Sequence, residues 1–190
     1  MKITKFILLF YIFVGCNSGG KSIQVSEFDW MLTIPKVLKE IPVKTTALRQ
    51  EGGIRMIEDA YPGEKIKIIA EPIINYSYGT YNKISAQYTN FESNKDFLLE
   101  FERANEILIN SILNRKPELK YTTEVGTIKI DNLEFKTFEL NTLNNTDNQY
   151  KFSVYSRMFG NKKLDIIILS DDEQKRDLFE RILKNSKFKN

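Results

Sequence analysis

Carboxylates are the acid–base groups that this sequence of 190 residues offers in number. Histidine is absent and cysteine occurs once, at Cys16, so the commonest general base and metal ligand is missing. A glycoside hydrolase needs two carboxylates about 5–9.5 Å apart, one of them with a raised pKa. The densest acidic cluster, Asp171-Asp172-Glu173, stands where a helix is expected to begin. Acidic residues there accept hydrogen bonds from free amides and complement the helix dipole, so we predict a helix cap.

Glu71 is the other candidate acid, because an acidic residue at the end of a strand can be catalytic. No partner for Glu71 can be identified from the sequence. Serine hydrolase chemistry lacks both its histidine and the G-x-S-x-G motif. The sequence therefore predicts no catalytic residue, no metal ligands and no cofactor. A carboxylate-dependent hydrolase remains the enzymatic alternative.

Residues 15–22, Gly-Cys-Asn-Ser-Gly-Gly-Lys-Ser, match the G-x-x-x-x-G-K-[ST] pattern of a phosphate-binding loop. That loop works only between a strand and a helix whose N-terminal amides face the phosphates. Here an apolar leader precedes the match, and residues 26–30 follow it with the alternation of a strand. We do not interpret the match as a nucleotide site.

The first sixteen residues have the features of an export signal. Lys2 and Lys5 precede an apolar run at 6–14 that is about half of the ~20 residues a membrane-spanning helix needs. The run ends in Phe13-Val14-Gly15-Cys16, which resembles a bacterial lipobox. We predict a signal peptide at 1–15, a lipidated Cys16 with a tether at 16–26, and a single domain at 27–190. A core strand or buried helix that opens a cytoplasmic domain is the alternative.

The charge balance bears on the partners. The chain has 28 basic and 25 acidic residues, and removal of Lys2 and Lys5 with the leader leaves a net charge of +1. A nearly neutral domain argues against nucleic-acid binding, which needs a basic surplus on one face. With Cys16 lipidated, no disulfide is possible.

Hydrophobic periodicity places the elements. Phe28, Trp30, Leu32 and Ile34 alternate with other residues and predict a strand that Pro35 ends. Helices are expected at about 45–61, at 93–115 and after Asp172, and the long one carries on one face Phe97, Phe101, Ala104, Leu108 and Ile112.

Further strands are predicted from period-two patterns, at 65–70, 83–89, 121–130, 133–135, 150–159 and 164–169. Asp131-Asn132 is a candidate two-residue hairpin turn. Residues 166–169 are apolar on both faces, so this strand should be central.

The segment 74–82 is the one stretch of unusual composition. Tyr76, Tyr78 and Tyr81 alternate with small polar residues, a mixture found in adaptable recognition loops. These tyrosines are therefore candidate residues for binding a glycan or a small apolar ligand, and serine in place of all three should leave the thermal midpoint nearly unchanged. The alternative is a β-hairpin whose tyrosines cover the sheet.

The order of elements resembles the PsbP-like fold, named after an extrinsic subunit of photosystem II, and in particular small bacterial envelope lipoproteins with that fold. The likeness is carried by residues 30–35, 126–135, 155–157 and 183–188. It implies an α+β domain, an antiparallel sheet of about six strands with helices packed on it as an α/β/α sandwich. It also implies an accessory or assembly role, since the relatives are mostly not enzymes.

The expected protein is thus a lipoprotein of the bacterial cell envelope, on the outer membrane, without catalytic activity. Its expected partners are the membrane, through the anchor, and an envelope protein or a glycan; nucleic acid is not among them.

Overall fold

The structure is a computed structural model that describes residues 19–61, 70–92, 95–143 and 149–189. The signal peptide and Cys16 lie outside these ranges. So do most of the strand expected at 65–70, the first two residues of the helix expected at 93–115, and residues 144–148.

Ten strands and three α-helices make up the described part of the chain. In chain order the elements are β1 (Gly20–Val25), β2 (Trp30–Pro35), β3 (Lys39–Glu40), α1 (Val43–Ala60), β4 (Glu71–Tyr78), β5 (Asn82–Asn90), α2 (Phe97–Arg115), β6 (Lys120–Ile130), β7 (Leu133–Leu143), β8 (Gln149–Phe159), β9 (Lys162–Ser170), α3 (Glu173–Lys184) and β10 (Lys187–Phe188). A short 3-10 helix, Ser26–Phe28, joins β1 to β2.

The strands form two antiparallel sheets. The main sheet has seven strands in the order β3-β4-β5-β9-β8-β7-β6, and the small sheet has three in the order β1-β2-β10. The small sheet and α3 cover one face of the main sheet, and α2 covers the other with α1 packed beside it. Helices α2 and α3 bury apolar residues against opposite faces of the main sheet, which produces the sandwich.

The larger core lies between the two sheets and α3. Trp30 of β2, Ile168 of β9 and Phe179 of α3 are all 0% exposed and belong to one cluster. Strand β9 is the middle strand of the main sheet, as the run of apolar residues at 166–169 predicts. A strand can be apolar on both sides only where both faces are covered.

Helix α2 provides the second, smaller core. Its Phe101 is buried against Phe138 and Leu140 of β7. Asp96 caps the helix, since its carboxylate accepts hydrogen bonds from the backbone N–H groups of Leu98 and Leu99. The predicted helical face is confirmed at Phe101, but Ala104 is exposed while Asn105 is buried in its place.

The β6–β7 hairpin closes at Asp131-Asn132, as the sequence predicts. Both residues have positive φ, 47° and 67°, as a type I′ turn requires. The Asp131 carboxylate accepts hydrogen bonds from the Lys187 ammonium at 2.9 Å and from the Phe188 amide at 2.8 Å. These two bonds hold the pKa of Asp131 below its ordinary value. The turn therefore fastens β10 to the end of the hairpin.

One prediction about the architecture needs correction. The tether expected at 16–26 is folded over 20–26, because residues 20–25 pair with β2 as β1 and Ser26 opens the 3-10 helix. The expected antiparallel sheet of about six strands is confirmed as a sheet of seven, in which the two-residue strand β3 forms the edge beside β4. No helix within the described ranges is long and apolar enough to cross a bilayer.

Candidate functional site

The three candidate tyrosines lie on the β4–β5 hairpin. The segment 74–82 therefore forms the β-hairpin that was the alternative to a recognition loop. Tyr76 and Tyr78 belong to β4, and Tyr81 stands in the turn before β5. Tyr76 is buried at 5% exposure in the larger core, and Tyr78 packs against that core with the Lys175 ammonium 5.4 Å from its ring centroid. Tyr81 is 53% exposed. The structure therefore places Tyr76 and Tyr78 at the larger core and separates Tyr81 from both, so the three side chains do not form one surface.

Tyr76 lines an open cleft of about 240 Å³ between β1, β3 and β4, here called the first cleft. Its hydroxyl donates to a Glu40 carboxylate oxygen at 3.3 Å. Burial, and then the negative charge of Glu40, raise the pKa of the Tyr76 hydroxyl. This tyrosine thus stays protonated and serves as a donor to the cleft wall.

Several other polar side chains of the first cleft are paired with each other. The Asn75 amide donates to the Thr46 hydroxyl at 2.7 Å, which fastens β4 to the start of α1. Lys21 and Glu40 form an ion pair at 3.7 Å whose side chains are 69% and 66% exposed, so it contributes little to stability. The polar side chains of the first cleft therefore mainly connect neighbouring elements of the two sheets.

A second cleft of about 250 Å³ lies on the opposite side of the main sheet, between the helices and the ends of β7 and β8. Its lining is largely apolar, with Met56 of α1, Ile112 of α2 and Leu119 after α2, and Tyr150 of β8 forms part of the wall. Arg115 and Lys116 line its rim, and Arg115 also bonds Asp59 at 3.1 Å.

Tyr81 meets the second cleft through Tyr150. The two rings pack edge to face with centroids 6.0 Å apart, a favourable geometry for aromatic pairs. Because Tyr81 is exposed, this pair presents aromatic surface beside an apolar cleft. Tyr150 was not a candidate in the sequence, because it follows the tyrosine-rich segment by some seventy positions and only the sheet brings the two together.

The acidic cluster has the structural role that the sequence predicts. The Asp172 carboxylate accepts from the backbone N–H of Lys175 at 3.0 Å and caps α3. This bond, with the nearby Lys175 ammonium, lowers the pKa of Asp172. Asp171 accepts from the Asn82 side-chain amide at 2.8 Å, and Glu71 accepts from the Tyr88 hydroxyl. In the described ranges no group of three or more acidic or cysteine side chains is placed to hold a metal ion.

Comparison with known proteins gives a fold and no family. No protein-family model matches the sequence, and no curated protein matches it either. The solution structure of cyanobacterial PsbP (CyanoP) from Synechocystis superposes with a TM-score of 0.55. The alignment covers 93% of this chain and 95% of CyanoP, at 10% sequence identity.

The fold is PsbP-like. The predicted α+β class, with helices packed on an antiparallel sheet, is confirmed by the structure and by this neighbour. At 10% identity the PsbP-like fold says nothing about which residues bind or react, so the clefts must be judged on their own geometry.

Proposed function

We propose that this protein is a lipid-anchored accessory protein of the bacterial cell envelope that acts by binding and not by catalysis. The basic and apolar leader with Phe13-Val14-Gly15-Cys16 supports acylation at Cys16, and the membrane proposed is the outer membrane. An accessory role is supported by the resemblance of residues 30–35, 126–135, 155–157 and 183–188 to envelope lipoproteins with the PsbP-like fold.

The non-catalytic part of the proposal is supported by the chemistry of the side chains. A carboxylate hydrolase needs a general acid whose pKa is raised. Among the residues that the structure describes, two carboxyl groups have a clearly shifted pKa, Asp131 and Asp172; both pKa values are lowered, and each carboxylate holds a structural contact. The sequence also lacks histidine, so no imidazole can act as a base.

The single observation that carries the binding role is the Tyr81–Tyr150 pair beside the second cleft. Small-molecule sites are concave and mostly apolar, with a few polar groups, and the second cleft has this composition at a small size. Its apolar lining, with Lys116 and with Arg115, which is also paired with Asp59, favours a small, largely apolar ligand that carries a negative charge. A glycan stacked on the tyrosine rings is the second candidate.

The binding role is tested by calorimetric titration of the full chain with octanoate and with maltotetraose. We expect octanoate to bind, and Tyr81→Ser and Tyr150→Ser each to weaken it about tenfold, the loss of roughly one good aromatic contact. Tyr121→Ser is the matched control, because Tyr121 is 39% exposed on β6, outside the cleft lining. Binding of maltotetraose alone, with the same dependence on Tyr81, would favour the glycan. If neither probe binds, the proposed ligand role is lost.

The anchor has its own test. We expect labelled palmitate to be incorporated into the full chain and the protein to fractionate with membranes, because multiple acyl chains hold a protein stably where one chain holds only marginally. Cys16→Ser should incorporate no label, since Cys16 is the only cysteine. A wild-type chain that never incorporates palmitate would show that the leader is not a lipoprotein signal.

A further inference from the structure

Strand β6 forms a long open edge of the main sheet. It is the last strand in the sheet order, and in the described part of the chain it pairs only with β7. Residues 120–125 are all exposed, with Tyr121 at 39% and Val125 at 64%. The opposite edge strand, β3, has two residues, whereas β6 has eleven. An exposed strand of this length offers a row of backbone donors and acceptors to another strand.

The hairpin turn determines which backbone groups of β6 point outward. In a two-residue type I′ hairpin the residues that flank the turn, here Ile130 and Leu133, form a hydrogen-bonded pair. Hydrogen-bonded and non-hydrogen-bonded pairs then alternate along an antiparallel ladder. The even-numbered residues of β6 therefore bond β7, and the free N–H and C=O groups belong to the odd-numbered residues Tyr121, Thr123, Val125, Thr127 and Lys129.

We propose that β6 pairs with β6 of a second copy of this chain, antiparallel about a two-fold axis at Val125, to join the two main sheets edge to edge. This register overlaps all eleven residues and places odd-numbered residues opposite odd-numbered ones, as the free groups require. The cross-strand pairs on the side of the sheet that α2 covers are Val125 with Val125, Thr123 with Thr127 and Tyr121 with Lys129.

The side chains favour this register. Lys120 lies opposite Ile130 and Glu124 opposite Gly126, so no like charges face each other, and the most exposed apolar residue of β6 meets its own copy. A shift that centres the axis on residue 124 would place two Glu124 carboxylates opposite each other. A shift by a single residue would place the free backbone N–H and C=O groups of the odd-numbered residues opposite even-numbered residues, whose backbone groups already bond β7.

A second copy of this chain is also the partner that a single open edge strand fits best. Pairing of one strand buries less than the roughly 1,600 Å² of a standard interface, so the association should be weak and concentration-dependent. A two-fold contact uses the same patch twice and therefore closes at a dimer without leaving a new edge. We expect a dissociation constant in about the micromolar range, measured by light scattering on the full chain in mild detergent.

Val125→Pro tests the interface with little disturbance of the fold. Proline is tolerated on an edge strand where the missing N–H would have faced solvent, and the Val125 N–H faces outward. The change removes both hydrogen bonds at the two-fold axis, so the dimer dissociation constant should rise at least about tenfold. Val125→Thr, which keeps the N–H and suits a strand, should dimerise nearly as the wild type does. Circular dichroism checks that each variant is folded.

Disulfide cross-linking tests the register independently of Val125→Pro. Opposite residues of a hydrogen-bonded pair have Cα atoms about 5.5 Å apart, within the range that a disulfide spans. Val125→Cys should therefore cross-link into a dimer under mild oxidation, whereas Thr123→Cys should not. The double variant Thr123→Cys/Thr127→Cys should cross-link again, and the wild type with its single Cys16 is the control.

A full chain that stays monomeric at about 100 µM would overturn the proposal, since that concentration greatly exceeds the expected dissociation constant. So would a dimer in which Val125→Pro has no effect and Thr123→Cys cross-links as readily as Val125→Cys. Loss of octanoate binding would not bear on it, because the second cleft and the outer edge of β6 use different residues.

Discussion

Replacement of Phe101 with alanine is expected to lower the free energy of unfolding by about 3–5 kcal/mol. Phe101 is 4% exposed and is the residue through which α2 enters the smaller core, against Phe138 and Leu140. Its removal leaves a cavity under the helix that the rigid sheet can fill only in part. Because a domain of ordinary stability unfolds at about 5–15 kcal/mol, this variant should be only marginally folded.

The matched control is Leu99→Ala, two positions earlier on the same helix. Leu99 is 63% exposed, so the same kind of truncation should change the free energy of unfolding by no more than about 0.5 kcal/mol. Urea denaturation followed by circular dichroism measures both variants. Equal effects of the two would mean that α2 does not pack on the sheet with Phe101 inward.

Tyr76→Ser should be nearly as destabilising, at about 3 kcal/mol or more, because the ring is 5% exposed in the larger core. Tyr81→Ser should cost no more than about 0.5 kcal/mol, since that side chain is half in solvent. The expectation that serine at all three tyrosines leaves the thermal midpoint unchanged therefore does not hold once the burial of Tyr76 is known. A triple variant would lose stability and binding together, so only Tyr81 can separate the two.

Tyr76→Phe separates the hydroxyl from the ring. It keeps the packing and removes the hydrogen bond of 3.3 Å to Glu40, whose side chain is 66% exposed. A bond to a solvated carboxylate has a small net value, so the loss should be less than about 1 kcal/mol. Thermal melts of the phenylalanine and serine variants give the comparison. A phenylalanine variant as unstable as the serine variant would contradict the assignment of the effect to the ring.

The sequence was sufficient where the cause of a structure is local. Positive φ at Asp131 and Asn132 suits these two residue types, so the hairpin turn could be predicted from the residues themselves. Asp172 caps α3, as predicted, because a short carboxylate reaches the amide three residues ahead. The middle position of β9 in the sheet could also be predicted from the sequence, since a strand that is apolar on both faces must be covered on both faces.

Only the tertiary structure shows the features that depend on contacts between residues far apart in the chain. Residues 20–25 alternate weakly and become β1 because β2 offers an edge for them to pair with, which no local signal in this short polar segment indicates. Alternation places Tyr76 and Tyr78 on the same side of β4, but only the covering small sheet and α3 bury Tyr76. Tyr81 and Tyr150 likewise become neighbours only through the packed sheet.

By itself the sequence determined most of the order of strands and helices, the hairpin turn and the cap of α3, because each depends on dihedral preferences, periodicity and hydrogen bonds within a few residues. The folded sandwich determined which tyrosine is buried, which one lies beside a cleft, and that β6 is an open edge among the described strands. These features depend on the layers that cover each face of the sheet. Contacts between residues far apart in the chain determine that covering, and the pattern of a single strand does not contain it.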